Sequence, residues 1–94
     1  MRVRWTRGAL RDLESAFERI ARDRPGAARR VATKIHDAVA HLMEHPAMGR
    51  PGRIPGTREL IVPGLPYIVP YRIRDEVVEI LSVFHAARKW PESF

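Results

Sequence analysis

The segment RELIVPGLPYIVPYRIRDEVVEILSVFH, residues 58–85, decides the fold. Three runs rich in β-branched and aromatic residues, Arg58 to Val62, Tyr67 to Arg74 and Val77 to His85, are separated by Pro63-Gly64 and Asp75-Glu76. Val, Ile and Tyr suit a pleated, half-buried surface, and the two dipeptides supply reversals, so the economical reading is a three-stranded antiparallel meander. Pro70 interrupts the middle run. A proline offers no N–H to the ladder, so a local break in pairing is expected there. In the last run both alternating sets are apolar in part, Val78, Ile80 and Phe84 on one and Val77, Leu81 and Val83 on the other. Alternation therefore does not say which face is buried.

Working outward, HPAMGRPGRIPGT (residues 45–57) holds three prolines and three glycines and reads as an irregular loop carrying Arg50 and Arg53. Between Gly8 and Arg24, Ala9, Leu10, Leu13, Ala16, Phe17, Ile20 and Ala21 recur at steps of three and four, the stripe of an amphipathic helix. Pro25-Gly26 breaks that pattern. A second stripe, Ala28, Val31, Ile35, Ala38 and Leu42, runs to about His45, and the short join makes the helices an antiparallel hairpin. Residues 2 to 6 alternate, with Val3 and Trp5 on one face of a short strand. The tail from Ala86 to Phe94 contains Pro91 and reads as one helical turn at most. The fold class is α+β: an N-terminal strand, then a two-helix hairpin on one face of a mainly antiparallel sheet that the meander completes. The other sheet face is left free to work.

A chain of 94 residues matches one domain, and 45% hydrophobic residues suffice for one small core. Such a domain is marginal in stability, so a permanent partner would help it. Fifteen arginines and two lysines against eleven acidic residues give a net charge of +6, a field that attracts nucleic acid, ribosomes or an acidic protein segment. Arginine's planar fork grips phosphate or carboxylate at two points. A GC-rich genome also supplies arginines, so the charge alone assigns no ligand. The absence of cysteine excludes disulfides and thiolate metal sites. The start MRVRW has no apolar run, so neither a signal peptide nor a membrane span is expected, and the cytoplasm is the expected location.

No phosphate-binding glycine loop, dinucleotide fingerprint or nucleophile elbow occurs, and no cofactor is expected. His36, His41 and His45 have a helical spacing that invites a metal, but no third ligand of matching geometry stands beside His41 and His45, and they read as solvated surface. The sharper constellation is Arg58 after the glycine-rich loop, Tyr71-Arg72 in the middle strand, and His85 with Arg88 at the end of the last. On the exposed sheet face, arginines with a histidine and a tyrosine would bind a phosphodiester, stabilise charge in phosphoryl transfer and move a proton. The plainer reading of the same residues is structural: Arg58 beside Glu59 as a surface ion pair, Arg72 with Glu79 across the hairpin, and His85 capping backbone groups.

The stretches GRPGRIPGTREL (49–60), YIVPYRI (67–73) and VVEILSVFHAARKWP (77–91), with a first helix of the type A-x-x-D-L-x-x-A-F from Ala9, resemble the RelE/ParE superfamily of type II toxin–antitoxin toxins over nearly the whole chain. The resemblance implies a toxin neutralised by a cognate antitoxin. In its RelE-like branch, basic residues on the sheet with a C-terminal tyrosine or histidine cut mRNA in the ribosome; Arg58, Arg72 and His85 would be the catalytic residues. Its ParE-like branch lacks that complete set and poisons DNA gyrase without chemistry of its own. Tyr67 stands where RelE-type enzymes tend to offer a basic residue, and F-H-A-A-R (84–88) resembles the ParE ending, so the ParE-like branch is favoured. Arg50, Arg53, Tyr71, Arg88 and Trp90 are then the candidates for contact with the target or with nucleic acid. A non-catalytic nucleic-acid-binding domain is the remaining alternative.

Overall fold

A computed structural model describes residues 1–87. Arg2–Trp5 form β1, followed by helices α1 (Arg7–Ala21) and α2 (Pro25–Ala40) and a 3-10 turn at His41–Met43. Thr6 starts α1 as its N-cap, its hydroxyl accepting the Ala9 N–H at 3.2 Å. The interhelix break falls at residues 22–24, one step before the expected one. Pro25 occupies the first turn of α2, where its missing N–H costs nothing and its fixed φ suits the helix.

The strands are β2 (Arg50–Pro51), β3 (Arg58–Ile61), β4 (Tyr67–Arg74), β5 (Val77–Ile80) and β6 (Phe84–His85). The sheet order is β1-β5-β4-β3-β2, with β6 also on β4. All pairings are antiparallel except that of β1 with β5, which is parallel. The loop expected at 45–57 thus contains a two-residue strand, and the third expected run is cut in two. Opposite Pro70, β5 pairs with Tyr71–Arg74, β6 pairs with Tyr67–Ile68, and Leu81–Val83 leave the ladder between them. The Pro70 carbonyl accepts the Leu81 N–H at 2.9 Å, so the edge of Pro70 that lacks an N–H faces the interruption. Asp12 of α1 stabilises it. One carboxylate oxygen accepts the Ser82 hydroxyl at 2.7 Å and the Val83 N–H at 3.1 Å, so the displaced amide is not left unsatisfied.

The core lies between the helices and one sheet face. Ala9, Ala16, Ile35, Val39 and Leu42 meet Leu60, Val69, Tyr71, Val78 and Ile80. Buried alanines at 9, 16, 28 and 38 allow the helices and sheet to approach closely. On β4, Tyr67, Val69 and Tyr71 belong to this side, and alternation assigns Ile68, Pro70, Arg72 and Arg74 to the open side. The hairpin at Asp75 and Glu76 has φ of 53° and 61°, the two left-handed residues of a two-residue reversal whose twist matches the strands.

Candidate functional site

Register separates the residues that the sequence groups together. Arg58 pairs with Tyr71 and His85 with Tyr67, so both arginine and histidine share the helix-side face of β4. Arg72 lies on the opposite face, paired with Glu79. Along β4 the positions opposite Arg58 and His85 are four residues apart, about 13 Å at the usual strand rise. The expected convergence of Arg58, Arg72 and His85 on one exposed face therefore does not occur.

Tyr71, expected beside Arg72 on the exposed face, is fully buried instead, because adjacent strand residues point to opposite sides. Its hydroxyl donates to the Pro46 carbonyl at 2.6 Å and accepts the Gly49 N–H at 2.8 Å. Arg58 works on the same loop, donating from one guanidinium nitrogen to the carbonyls of Gly49 at 2.8 Å and Ala47 at 3.3 Å. A Cβ on Gly49 would come within 2.7 Å of the Tyr71 ring and hydroxyl and within 2.9 Å of the Glu59 carbonyl, so only glycine fits there. Burial raises the Tyr71 pKa above its ordinary 10.0, against the smaller opposing pulls of the Gly49 amide and the Arg58 charge. The phenol stays protonated at neutral pH and serves as a latch between loop and sheet.

His85 is half-buried. Its ring meets Tyr67 edge-on at 5.4 Å between centroids, and Nδ1 accepts the Ala87 N–H at 3.1 Å, the backbone-capping arrangement. Arg50 pairs with buried Glu59 at 2.9 Å, and Glu59 also accepts the Arg53 backbone N–H at 2.9 Å, which draws the loop against the open face. His36, His41 and His45 are all exposed, and among the described residues no three His, Asp or Glu side chains come together as a metal site. Arg88 and Trp90 lie outside the described residues.

The open face has its own centre, which the sequence disclosed only in part. Glu79, 5% exposed, binds Arg72 Nε at 2.7 Å and Arg4 from the neighbouring strand, with Arg74 at 3.8 Å. Hydrogen bonds from Arg4 and Arg72 hold its carboxyl at about 2, well below the ordinary 4.5. The pairing of Arg72 with Glu79 was legible from hairpin register; Arg4 was not, because the parallel contact of β1 with β5 joins residues 75 apart. Beside this cluster, Arg72 also lines a cleft of about 860 Å³ together with the start of α1, with Arg7 and Arg11, and the segment Ile54, Pro55, Gly56 and Thr57.

A small helical hairpin on a mixed sheet, with a loop latched by Tyr71 and a basic open face, can be compared with known proteins. The family described as "ParE toxin of type II toxin-antitoxin system, parDE" matches residues 3–90. The chain belongs to the ParE toxin family. Among curated relatives, "Putative toxin Y4kP" of Sinorhizobium fredii is 53% identical over 91 residues, covering 97% of this chain and 94% of the relative. "Toxin RelE2" of Caulobacter vibrioides is 36% identical over 86 residues, covering 92% and 96%. Of solved structures, a chain of the chromosomal ParDE TA system from P. aeruginosa superposes with a TM-score of 0.83 at 27% identity, covering 90% of this chain and 95% of that one. A chain of the toxin–antitoxin complex RelBE2 from Mycobacterium tuberculosis gives 0.68 at 30% identity, covering 89% and 95%. As a ParE-family toxin of a type II system, the protein has a cognate antitoxin as its partner. No helix among the described residues is long and apolar enough to cross a membrane.

Proposed function

We propose that this ParE-family toxin arrests growth by binding DNA gyrase and trapping its cleaved DNA complex, with no chemical step of its own. The observation that carries this reading is the division of Arg58 and His85 from Arg72 across the two faces of β4. General acid–base chemistry on a phosphodiester needs its proton carrier and its cations within hydrogen-bond reach of one reacting centre. Here Arg58 is engaged with loop carbonyls, Arg72 with Glu79, and the His85 Nδ1 lone pair with a backbone amide. Residues so occupied favour a binding surface over a catalytic one.

The test is induction of the toxin in a bacterium while incorporation of labelled thymidine and labelled methionine is followed over the first minutes. Thymidine incorporation should fall first, with broken chromosomes, and co-expression of the antitoxin should prevent it. The relative named Toxin RelE2 motivates the competing reading, a ribosome-dependent endoribonuclease. In that case methionine incorporation fails first, and replacing Arg72 and His85 together abolishes toxicity.

A further inference from the structure

The cleft beside Arg72 has a chemistry that neither the latch nor the Glu79 cluster accounts for. Among the described residues its charged lining is cationic: Arg7 and Arg11 on α1, and Arg72 on β4. Arg7 and Arg11 are exposed, and their side chains make no ion pair or hydrogen bond among the described residues. Spaced by four on one helix, they repel each other, and Arg7 opens the helix at the end that already carries positive partial charge. Glu79 is engaged with Arg4 and Arg72, and Asp12 with Ser82 and the Val83 amide, while Glu14, three residues after Arg11, forms no ion pair with it. Two cations that pair with no carboxylate among the described residues thus line one cleft large enough for a ligand.

We infer that this cleft binds the phosphodiester backbone of duplex DNA. From Arg11 and Arg7 the cations continue through Arg72 to Arg4 and Arg74 on the open face, a track that suits a polymer with regularly repeated negative charge. Among the described residues the cleft lining contains no Phe, Tyr or Trp, and single-stranded ligands are held largely by stacking on such rings, so the backbone of a duplex fits better than splayed bases. An acidic protein segment is the competing occupant, since Ile54, Pro55 and Leu81 also line the cleft, but a second site is better suited to its apolar anchors. The apolar groove of about 450 Å³, lined by Ala38, Met48, Leu60, Ile61 and Pro63, lies at the β3 edge. Arginine forks at the cleft would position DNA without reading its sequence. This goes beyond the gyrase reading and does not depend on it, because the probe is DNA alone.

The experiment is fluorescence anisotropy of a labelled short duplex of arbitrary sequence with the full chain, freed of antitoxin, between 50 and 200 mM KCl. Arg7→Gln/Arg11→Gln is compared with Arg29→Gln/Arg30→Gln, which removes the same charge from the exposed side of α2. Two lost phosphate contacts should weaken binding about tenfold and flatten the slope of log affinity against log salt by about 2, while the α2 variant stays within about twofold of wild type. The Arg7→Gln/Arg11→Gln variant should melt at or slightly above the wild-type temperature, since the two arginines repel each other and pair with no carboxylate among the described residues, and the α2 variant should melt like wild type. The inference is overturned if the wild type does not bind the duplex at 50 mM salt, or if the α2 variant loses as much. Preferential binding of single-stranded DNA, or displacement of the duplex by polyglutamate at equal charge, also overturns it, the latter reassigning the cleft to an acidic protein. If methionine incorporation fails first in cells while duplex binding still follows Arg7 and Arg11, the gyrase reading falls and this inference stands.

Discussion

Tyr71 and Arg72 are adjacent in the chain, and strand alternation sends them to opposite sides of the sheet. On the helix side, a neutral hydroxyl with no solvent access makes two short hydrogen bonds and closes the 46–49 loop onto the core. On the open side, a guanidinium still in contact with water shares one buried carboxylate with Arg4 and Arg74. Polar groups thus do two jobs a few ångströms apart. The first is a matter of stability, because a buried donor or acceptor left without a partner is costly. The second arranges charge for a partner, because ion pairs near water add little to stability while orienting the cations that take part.

The largest effect should come from the helix side. Tyr71→Ala removes a buried ring and should lower unfolding free energy by about 3–5 kcal/mol, a large share of a small domain's total. Tyr71→Phe keeps the ring, strands the Gly49 N–H and the Pro46 carbonyl, and should cost about 1–3 kcal/mol. Both are read from urea midpoints of the free toxin, with Arg72→Ala alongside and expected to cost clearly less than Tyr71→Phe. If Arg72→Ala proves the more damaging, the division of labour between the faces is wrong.

A subtler separation comes from acid. The Glu79 carboxyl is depressed to about 2, so its contribution is fully present above its ordinary value of 4.5 and is lost as pH falls from there towards 2. Glu79→Gln should be less stable than wild type at neutral pH, and the gap should close across that window. A gap that stays constant from pH 6 to pH 2.5 would show that the arginines do not hold Glu79 ionised.

The smallest effect is local. Glu76 sits at φ 61°, a conformation unfavourable for a residue with a Cβ, and Asp-Gly is the preferred pair for such a reversal. Glu76→Gly should stabilise the hairpin by up to about 1 kcal/mol, the relief being offset in part by the added freedom of glycine in the unfolded chain. A rise in melting temperature with unchanged DNA affinity would keep this turn out of the basic track; a drop in melting temperature would contradict the reading of the turn.

Much of this molecule is legible in its sequence. Helix periodicity located α1 and α2, the composition of residues 58–74 located β3 and β4, and the missing N–H of Pro70 announced a break in pairing. These are local properties, set by side-chain spacing and by what one residue's backbone can donate. The hairpin partner of Arg72 was readable for the same reason, since Asp75-Glu76 sets the register. Which way the last run faces, that Asp12 would hold Leu81–Val83 off the ladder, and that Arg4 would join Arg72 on Glu79 were settled by contacts between segments some 70 residues apart. Such contacts depend on how α1 and β1 lie against β5, and no local pattern encodes that geometry. The sequence by itself determined the elements and the family. Only the tertiary structure decided that Tyr71 turns inward, that Arg58 and His85 part from Arg72, and that Arg7 and Arg11 come to line one cleft with Arg72, because pairing register and helix docking, not composition, assign each side chain its side of the sheet.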